Sequence, residues 1–125
     1  MLLYGLINKD YQHQLEDTMT SLSFPWFFNK WVDEYPFNFK DENVVQSFQF
    51  SHVFYDNGVS MPTYNLVEPL LKAITERLQL KNFNVVRIKA NLTTAHNYPP
   101  EKYQVPHVDT SPPCRTLIYY VNDSD

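Results

Sequence analysis

His107 and Asp109 are separated by one small apolar residue in the stretch VPHVDTS, residues 105–111. In an extended segment, side chains two residues apart point to the same side of the backbone, so this imidazole and this carboxylate could reach one common point. Non-haem Fe(II) sites use such groups: two histidines and one carboxylate occupy one face of the metal. The pair therefore predicts two of three protein ligands of a metal site, against the alternative of a chance pairing on a solvated surface.

The third ligand of such a site would be another histidine. The sequence offers His13, His52 and His96, and no histidine follows Asp109. His13 lies in a polar segment and His52 in a predicted strand far upstream, whereas His96 lies in the loop just before the motif and is close enough to fold back. Each of them fits a surface or hydrogen-bonded histidine better than a ligand, so the third ligand stays open.

Other reactive groups form no comparable pattern. Cys114 is the only cysteine, so neither an internal disulfide nor a zinc–thiolate site is supported. A phosphate-binding loop needs clustered glycines, whereas the two glycines of this chain stand far apart. The metal interpretation is therefore better supported than these other chemistries, although a His-x-Asp pair by itself arises often by chance on a solvated surface.

Residues 65–80 predict the clearest helix of the chain. Asn65 is expected to cap it, and Pro69 falls in the first turn, where a missing N–H costs little. The apolar residues recur at spacings of three and four and form one stripe: Leu66, Val67, Leu70, Leu71, Ile74 and Leu78. Residues 10–20 have weaker helical spacing and fit either a helix or a loop.

Strands are predicted on both sides of that helix. Residues 2–7 predict a short strand, and residues 43–55, rich in Val, Phe and Tyr, predict a strand or a bent strand pair that ends at the turn of residues 56–58. Residues 84–92 predict the strand before the metal motif. Residues 115–121 (RTLIYYV) predict a strand after it. The aromatic stretch 23–28 is interpreted as an ordered loop that packs on the core.

Composition indicates one small globular domain. The chain has 125 residues, 43% of them apolar, and its 10 basic and 14 acidic residues give a net charge of −4, which argues against binding to nucleic-acid phosphates. No apolar run approaches the length of a membrane span, and the short apolar N-terminus lacks the features of a secretory signal. We expect a cytoplasmic protein with no membrane partner and a single α+β, mainly β domain over residues 1–125.

The motif His107-Val108-Asp109, followed after a short turn by the stretch IYYVN of residues 118–122, resembles the 2-oxoglutarate- and Fe(II)-dependent oxygenases. The similarity is to their prolyl 4-hydroxylase-like branch, and in particular to the small forms found in phages and bacteria. It is strong over residues 83–125 and only general over residues 1–80. The order of supporting helix, first core strand and metal motif also matches the family.

The resemblance implies a double-stranded β-helix, a jelly-roll-like barrel with helices on one outer face. By position, it makes His107 and Asp109 ligands of Fe(II). Tyr120 matches a tyrosine that hydrogen-bonds the distal carboxylate of the co-substrate 2-oxoglutarate. Ile118 matches an apolar residue of the same pocket, which it shares with Tyr120 on one strand face. Tyr103 lies near a tyrosine that flanks the site in relatives, with a spacing to His107 that differs by one.

The implied reaction couples decarboxylation of 2-oxoglutarate to hydroxylation of a substrate C–H bond, with ascorbate left open as an additional reductant. The substrate, a peptide or a small molecule, is not specified. In the family the distal histidine lies several strands further on, so the expectation is the N-terminal part of an oxygenase domain without its C-terminal strands, located in the host cytoplasm if phage-encoded. The alternative is a non-catalytic β-rich binding or interaction module.

Overall fold

The computed structural model describes residues 1–30, 41–45, 47–94, 99, 101–104 and 113–122. Over these residues the fold is mixed α+β, as predicted, with two α-helices, one 3-10 turn and six strands. The helices are α1 (Lys9–Met19) and α2 (Glu68–Arg77), and the 3-10 turn is Tyr64–Leu66. The strands are β1 (Phe27–Asn29), β2 (Val44–Val45), β3 (Gln49–Asp56), β4 (Val59–Ser60), β5 (Arg87–Leu92) and β6 (Tyr103–Gln104).

The strands form two groups. β1 and β4 both pair antiparallel with β3, and β5 also pairs with β3, while β2 and β6 form a separate parallel pair. The chain divides into two compact units, unit 1 (Met1–Pro25, Val53–Ala90 and Tyr119–Asp125) and unit 2 (Trp26–His52 and Asn91–Ile118). The described residues include no helix with the length and apolar character that a membrane crossing requires.

Helix α1 of unit 1 is fixed at its start by a side-chain cap. Asn8 has extended backbone angles, and its Oδ1 accepts a hydrogen bond from the Tyr11 N–H at 2.8 Å, which satisfies one of the free donors of the first turn. The helix buries Leu15 completely and Met19 almost completely. Residues 10–20, which fitted a helix or a loop, are therefore mostly helical.

Helix α2 lies within the predicted range 65–80, but it begins later than expected. The 3-10 turn precedes it, with the Leu66 N–H bound to the Thr63 carbonyl at 3.0 Å, and Val67 then occupies the cap position without a side-chain hydrogen bond. The prediction that Asn65 caps the helix is wrong because the 3-10 turn incorporates this residue. Pro69 does lie in the first turn, as predicted. Val67, a member of the predicted apolar stripe, is buried.

The turn between β3 and β4 follows from two residues. Asn57 and Gly58 both have positive φ, 45° and 91°, which is the backbone of the two-residue hairpin turn that Asn-Gly favours. The hairpin aligns Tyr55 with Ser60 and Asp56 with Val59. The turn predicted at residues 56–58 is therefore confirmed.

Two predicted strands are wrong. Residues 2–7 and 115–121 carry no strand, and the predicted strand 84–92 begins only at Arg87. A strand exists only where a neighbour completes its hydrogen-bond ladder, whatever its β-propensity. Among the described residues no partner strand pairs with either segment, and Gly5 bends the first of them at a φ of 61°.

Candidate functional site

The structure describes some of the site residues predicted from the sequence and not others. His107 and Asp109, the predicted metal ligands, lie outside the described residues, as does His96. Ile118 and Tyr120 lie in the segment without a strand, and their side chains are 74% and 69% exposed. The prediction that these two side chains share one strand face is therefore wrong, because the strand itself is absent.

Tyr103, the remaining predicted site residue, lies in strand β6. This strand pairs in parallel with β2, with Tyr103 opposite Val44 and Gln104 opposite Val45. The Tyr103 N–H donates to the Asn43 carbonyl oxygen at 3.0 Å. The pair joins two stretches of chain that are far apart in sequence, and its β6 strand ends shortly before the His107 motif.

A set of polar contacts surrounds this strand pair, and we call it the Asp41–Tyr103 clasp. The Tyr103 hydroxyl donates a hydrogen bond to Oδ2 of Asp41. The other carboxylate oxygen, Oδ1, accepts the Asn43 N–H at 2.8 Å, and Lys102 Nζ donates to the Glu42 carbonyl oxygen at 2.6 Å. The Tyr103 hydroxyl is thus engaged with a carboxylate of this chain.

The clasp changes the acidity of both partners. The hydrogen bond from Tyr103 lowers the pKa of the Asp41 carboxyl, and the Asn43 N–H and the charge of Lys102 act in the same direction. The same hydrogen bond raises the pKa of the Tyr103 phenol, because ionising the phenol would remove the donor and place two negative charges together. The clasp is complete only where Asp41 is ionised and Tyr103 is neutral.

The clasp predicts a pH-dependent contribution to stability. Because folding lowers the pKa of Asp41, its contribution is present above the ordinary carboxyl pKa and is lost as the pH falls through the lowered value. Asp41→Asn is therefore expected to lower the urea midpoint slightly at pH 7, with a difference from the wild type that shrinks in strong acid. Urea titrations of both proteins across that range measure it, with Asp17→Asn, on an exposed position of α1, as the control for losing a carboxylate. A difference that persists at the acid end would contradict the assignment.

Polar side chains in and just before strand β3 are buried, whereas the neighbouring Phe48 is accessible. Ser47, Gln49 and His52 are 6%, 7% and 5% exposed, whereas Phe48 is 40% exposed. The Asn29 amide nitrogen donates to Ser51 Oγ at 2.6 Å within the same region. Sequence reasoning missed these buried polar residues because hydrophobic patterning assigns phenylalanines, rather than Ser, Gln or His, to the interior. The signal was the alternation of Ser and Gln with Phe over residues 47–51.

The aromatic side chains of β1 and β3 pack against one another. The Phe28 ring lies 5.7 Å from the centroids of both Phe48 and Phe50. Phe27 stacks on the buried His52 at 6.4 Å between centroids. Phe27 and Phe28 nevertheless remain 63% and 61% exposed, and because neighbouring residues of a strand point to opposite faces, each face of β1 carries one accessible phenylalanine.

Unit 1 contains an open groove along helix α2, with a volume of about 620 Å³. Tyr64 and Phe83 contribute aromatic rings to its lining, and Glu68 and Lys72 add opposite charges. Tyr64 is held in place by the Tyr55 ring at 5.9 Å. The rest of the lining is aliphatic apart from the hydroxyl of Thr75, so the groove combines apolar contact with one carboxylate and one ammonium group.

No three His, Cys, Asp or Glu side chains come together to hold a metal ion within the described ranges. The predicted ligands His107 and Asp109 lie outside those ranges, so the iron site stays a prediction. Comparisons of the chain with models of known protein families, with curated proteins and with solved structures found no match.

Proposed function

We propose that the chain carries part of the active site of a 2-oxoglutarate- and Fe(II)-dependent hydroxylase of the prolyl 4-hydroxylase-like branch. The observation that carries the proposal is the joint occurrence of His107-Val108-Asp109 and the stretch IYYVN of residues 118–122. A His-x-Asp pair alone arises often by chance. Its combination with a tyrosine at the co-substrate position on the following apolar stretch is much more specific.

The order of elements supports the proposal. Helix α2 precedes β5, β5 precedes β6, and β6 ends three residues before His107. This is the family order of supporting helix, core strand and metal motif. The antiparallel pairing of β1 and β4 with β3 is also the kind of pairing from which a double-stranded β-helix is built, so this fold is part of the proposal.

The donor types of the motif fit Fe(II). A neutral imidazole and a carboxylate are ligands that non-haem iron accepts, and they leave open positions for other molecules when a second histidine completes the set. Bound Fe(II) would supply the O2 chemistry that couples 2-oxoglutarate decarboxylation to C–H hydroxylation. His107 and Asp109 would hold the metal, with His96 the nearest upstream candidate for the third ligand.

The chain's own residues would bind and orient the co-substrate. Tyr120 would donate its phenol proton to the distal carboxylate of 2-oxoglutarate, and Ile118 would cover the apolar methylene groups between the two carboxylates. Both side chains are accessible in the structure, so a ligand can contact them. The substrate would be a peptide or a small molecule, since a net charge of −4 disfavours nucleic acid.

An anaerobic titration tests the proposal. We expect the purified chain to bind Fe(II) with micromolar affinity, and to bind 2-oxoglutarate only when Fe(II) is present, because the co-substrate chelates the metal. Admission of O2 with ascorbate should then convert 2-oxoglutarate to succinate and CO2. A folded chain that binds neither component, by calorimetry and by succinate assay, would exclude the oxygenase assignment for this chain.

A non-catalytic binding module is the second candidate. The accessible side chains of Phe28 and Phe48, whose ring centroids lie 5.7 Å apart, favour it, because an exposed apolar patch is typical of an interaction surface. The same titration separates the two candidates, since a binding module has no reason to require Fe(II) for 2-oxoglutarate binding.

A further inference from the structure

The tip of the β3–β4 hairpin, in unit 1, carries the pair Asn57 and Gly58. We propose that Asn57 is a site of spontaneous covalent modification, in which its side chain loses ammonia and the residue becomes aspartate or isoaspartate. The folded hairpin holds the Asn57 amide away from the nitrogen that attacks it, so the modification proceeds only when the turn opens. The site is independent of the predicted metal ligands and of the proposed function.

Two features make this pair reactive. Asn57 and Gly58 are both exposed, so water reaches the amide. Gly58 has no side chain, and nothing lies within 4 Å of the position that a Cβ would take there. Its backbone nitrogen is therefore not crowded, which is the property that lets glycine approach other groups closely.

The reaction needs only water. The Gly58 backbone nitrogen gives its proton to hydroxide and attacks Cγ of Asn57. A bond between this nitrogen and Cγ forms, the bond between Cγ and Nδ2 breaks, and Nδ2 takes a proton from water and leaves as ammonia. Water then adds to one of the two carbonyl carbons of the five-membered succinimide and opens it to aspartate, or to isoaspartate, in which the chain continues through the side-chain carboxyl. In sum, one amide and one water give one carboxylic acid and ammonia, without an oxidant or a cofactor.

The backbone of the folded turn prevents the attack. The φ angles of 45° at Asn57 and 91° at Gly58 match the mirror image of a type I turn. In that turn the Gly58 nitrogen lies nearly opposite to the Asn57 Cβ about the Cα–C bond, whereas closing a five-membered ring requires both atoms on the same side. The pairing of Asp56 with Val59 holds the turn in this form, so the ring can close only after the hairpin tip opens.

The Asn57 side chain is also held away from Gly58. Its Nδ2 donates a hydrogen bond to Asp56 Oδ1 at 2.9 Å, which draws the amide towards the residue before Asn57, while the attack comes from the residue after it. Asp56 Oδ1 also accepts a hydrogen bond from Arg87 Nε at 3.3 Å, and the Asn57 N–H donates to the Val86 carbonyl oxygen at 2.8 Å. These contacts tie the hairpin tip to the start of β5 and so raise the free energy of opening it.

Neither product fits the folded turn as asparagine does. Aspartate at position 57 would replace the Nδ2 donor by a second carboxylate beside Asp56, where like charges repel. Isoaspartate would add one carbon atom to the main chain within a two-residue turn whose length sets the register of β3 and β4. Because the ammonia is lost, closing the turn again does not restore the amide. The modification therefore destabilises the hairpin tip permanently.

Incubation of the purified chain at mildly alkaline pH tests the site, once folded and once unfolded in guanidinium chloride. Peptide mapping by mass spectrometry measures the loss of each asparagine amide, and labelling by an isoaspartyl methyltransferase detects isoaspartate. Asn82 is the matched internal control, because it is also exposed and has a positive φ of 55°, but Phe83 follows it. Asp56→Ala removes the acceptor that holds the Asn57 amide, and Asp17→Ala, at an exposed position of α1, is the control for losing a carboxylate.

We expect Asn57 to lose its amide much faster than Asn82 in the unfolded chain, because the Phe83 side chain hinders the backbone nitrogen that would attack. Folding should slow the reaction at Asn57 by at least about 10-fold, because only the opened fraction of molecules reacts. Asp56→Ala should accelerate it in the folded chain by about 2- to 10-fold, the effect of losing one hydrogen bond, and should leave the rate in the unfolded chain nearly unchanged. Asp17→Ala should match the wild type in both states.

Loss of the Asn57 amide no faster than that of Asn82 in the unfolded chain would overturn the modification site. Equal rates at Asn57 in the folded and unfolded chains would overturn its control by the hairpin. An unchanged or slower rate in folded Asp56→Ala, with circular dichroism like that of the wild type, would overturn the role of the Asp56 hydrogen bond. If Asp56→Ala does not fold, Arg87→Ala makes the same test, because it frees the Asp56 carboxylate and should also accelerate the reaction.

Discussion

Leu15→Ala is expected to destabilise the protein by about 2–5 kcal/mol, the usual cost of truncating a fully buried leucine to alanine. Leu15 is 0% exposed in helix α1 and is one of the two largest side chains that the described residues bury completely. The substitution removes three buried carbon atoms, one methine and two methyl groups, and leaves a cavity that the close-packed surroundings only partly fill.

The chain provides a matched control for this loss. Leu22, which follows α1 in the same unit, has a fully exposed side chain, so Leu22→Ala removes the same atoms without removing any burial. We expect that variant to stay within about 0.5 kcal/mol of the wild type. The comparison also isolates packing from helix propensity, because alanine is the best helix former and cannot weaken α1 by itself.

Urea unfolding followed by far-ultraviolet circular dichroism measures both variants. Because small proteins are stable by only about 5–15 kcal/mol, Leu15→Ala should shift the unfolding midpoint strongly, with a nearly unchanged slope. Equal midpoints for Leu15→Ala and Leu22→Ala would show that α1 does not pack its Leu15 face against unit 1, which the complete burial of Leu15 requires.

Elements with a local sequence signal were predictable. The stripe of residues 66–78 predicts α2, and Asn57-Gly58 predicts the hairpin turn, because each depends on residues only a few positions apart. The prediction that Asn65 caps α2 was wrong for a reason that is also local. A 3-10 turn precedes the helix and includes Asn65 in its own hydrogen-bond pattern.

Elements that depend on a distant partner were not predictable. Residues 115–121 have the composition of a strand, yet they lack a ladder within the described part of the chain. The reverse error occurred at β1, which was interpreted as part of a loop. Its residues Phe27–Asn29 are a strand only because residues 49–51 of β3 lie alongside them. In both cases the deciding interaction lies outside the segment.

The candidate site shows the same division. The spacing of His107 and Asp109 is a local pattern and predicts shared ligation directly from the sequence. The clasp joins Asp41 and Tyr103 across 62 residues, and no periodicity links two such positions. Sequence reasoning therefore predicted the metal ligands from a local pattern, while the contact between Asp41 and Tyr103 became evident only in the fold.

His107→Ala is expected to weaken Fe(II) binding by at least about 100-fold, because removing a ligand must cost more than the 10- to 100-fold that follows loss of a residue supporting a ligand. Asp109→Asn should also weaken binding, since an amide oxygen lacks the negative charge that a carboxylate brings to Fe(II). His13→Ala is the matched control, because His13 is exposed on helix α1 and the proposed site takes His96, not His13, as its upstream histidine. Anaerobic calorimetry measures all three.

The relative losses of Fe(II) affinity in these variants distinguish a shared metal site from weak, non-specific metal binding. Exposed histidines and carboxylates bind divalent metals weakly and independently. If Fe(II) bound only in this non-specific way, His13→Ala and His107→Ala would reduce its affinity by about the same small amount. A shared site would lose most of its affinity in either His107→Ala or Asp109→Asn, and little more when both are changed. His96→Ala extends the test to the third ligand: a loss comparable to that of His107→Ala would place His96 in the set, and an unchanged affinity would exclude it.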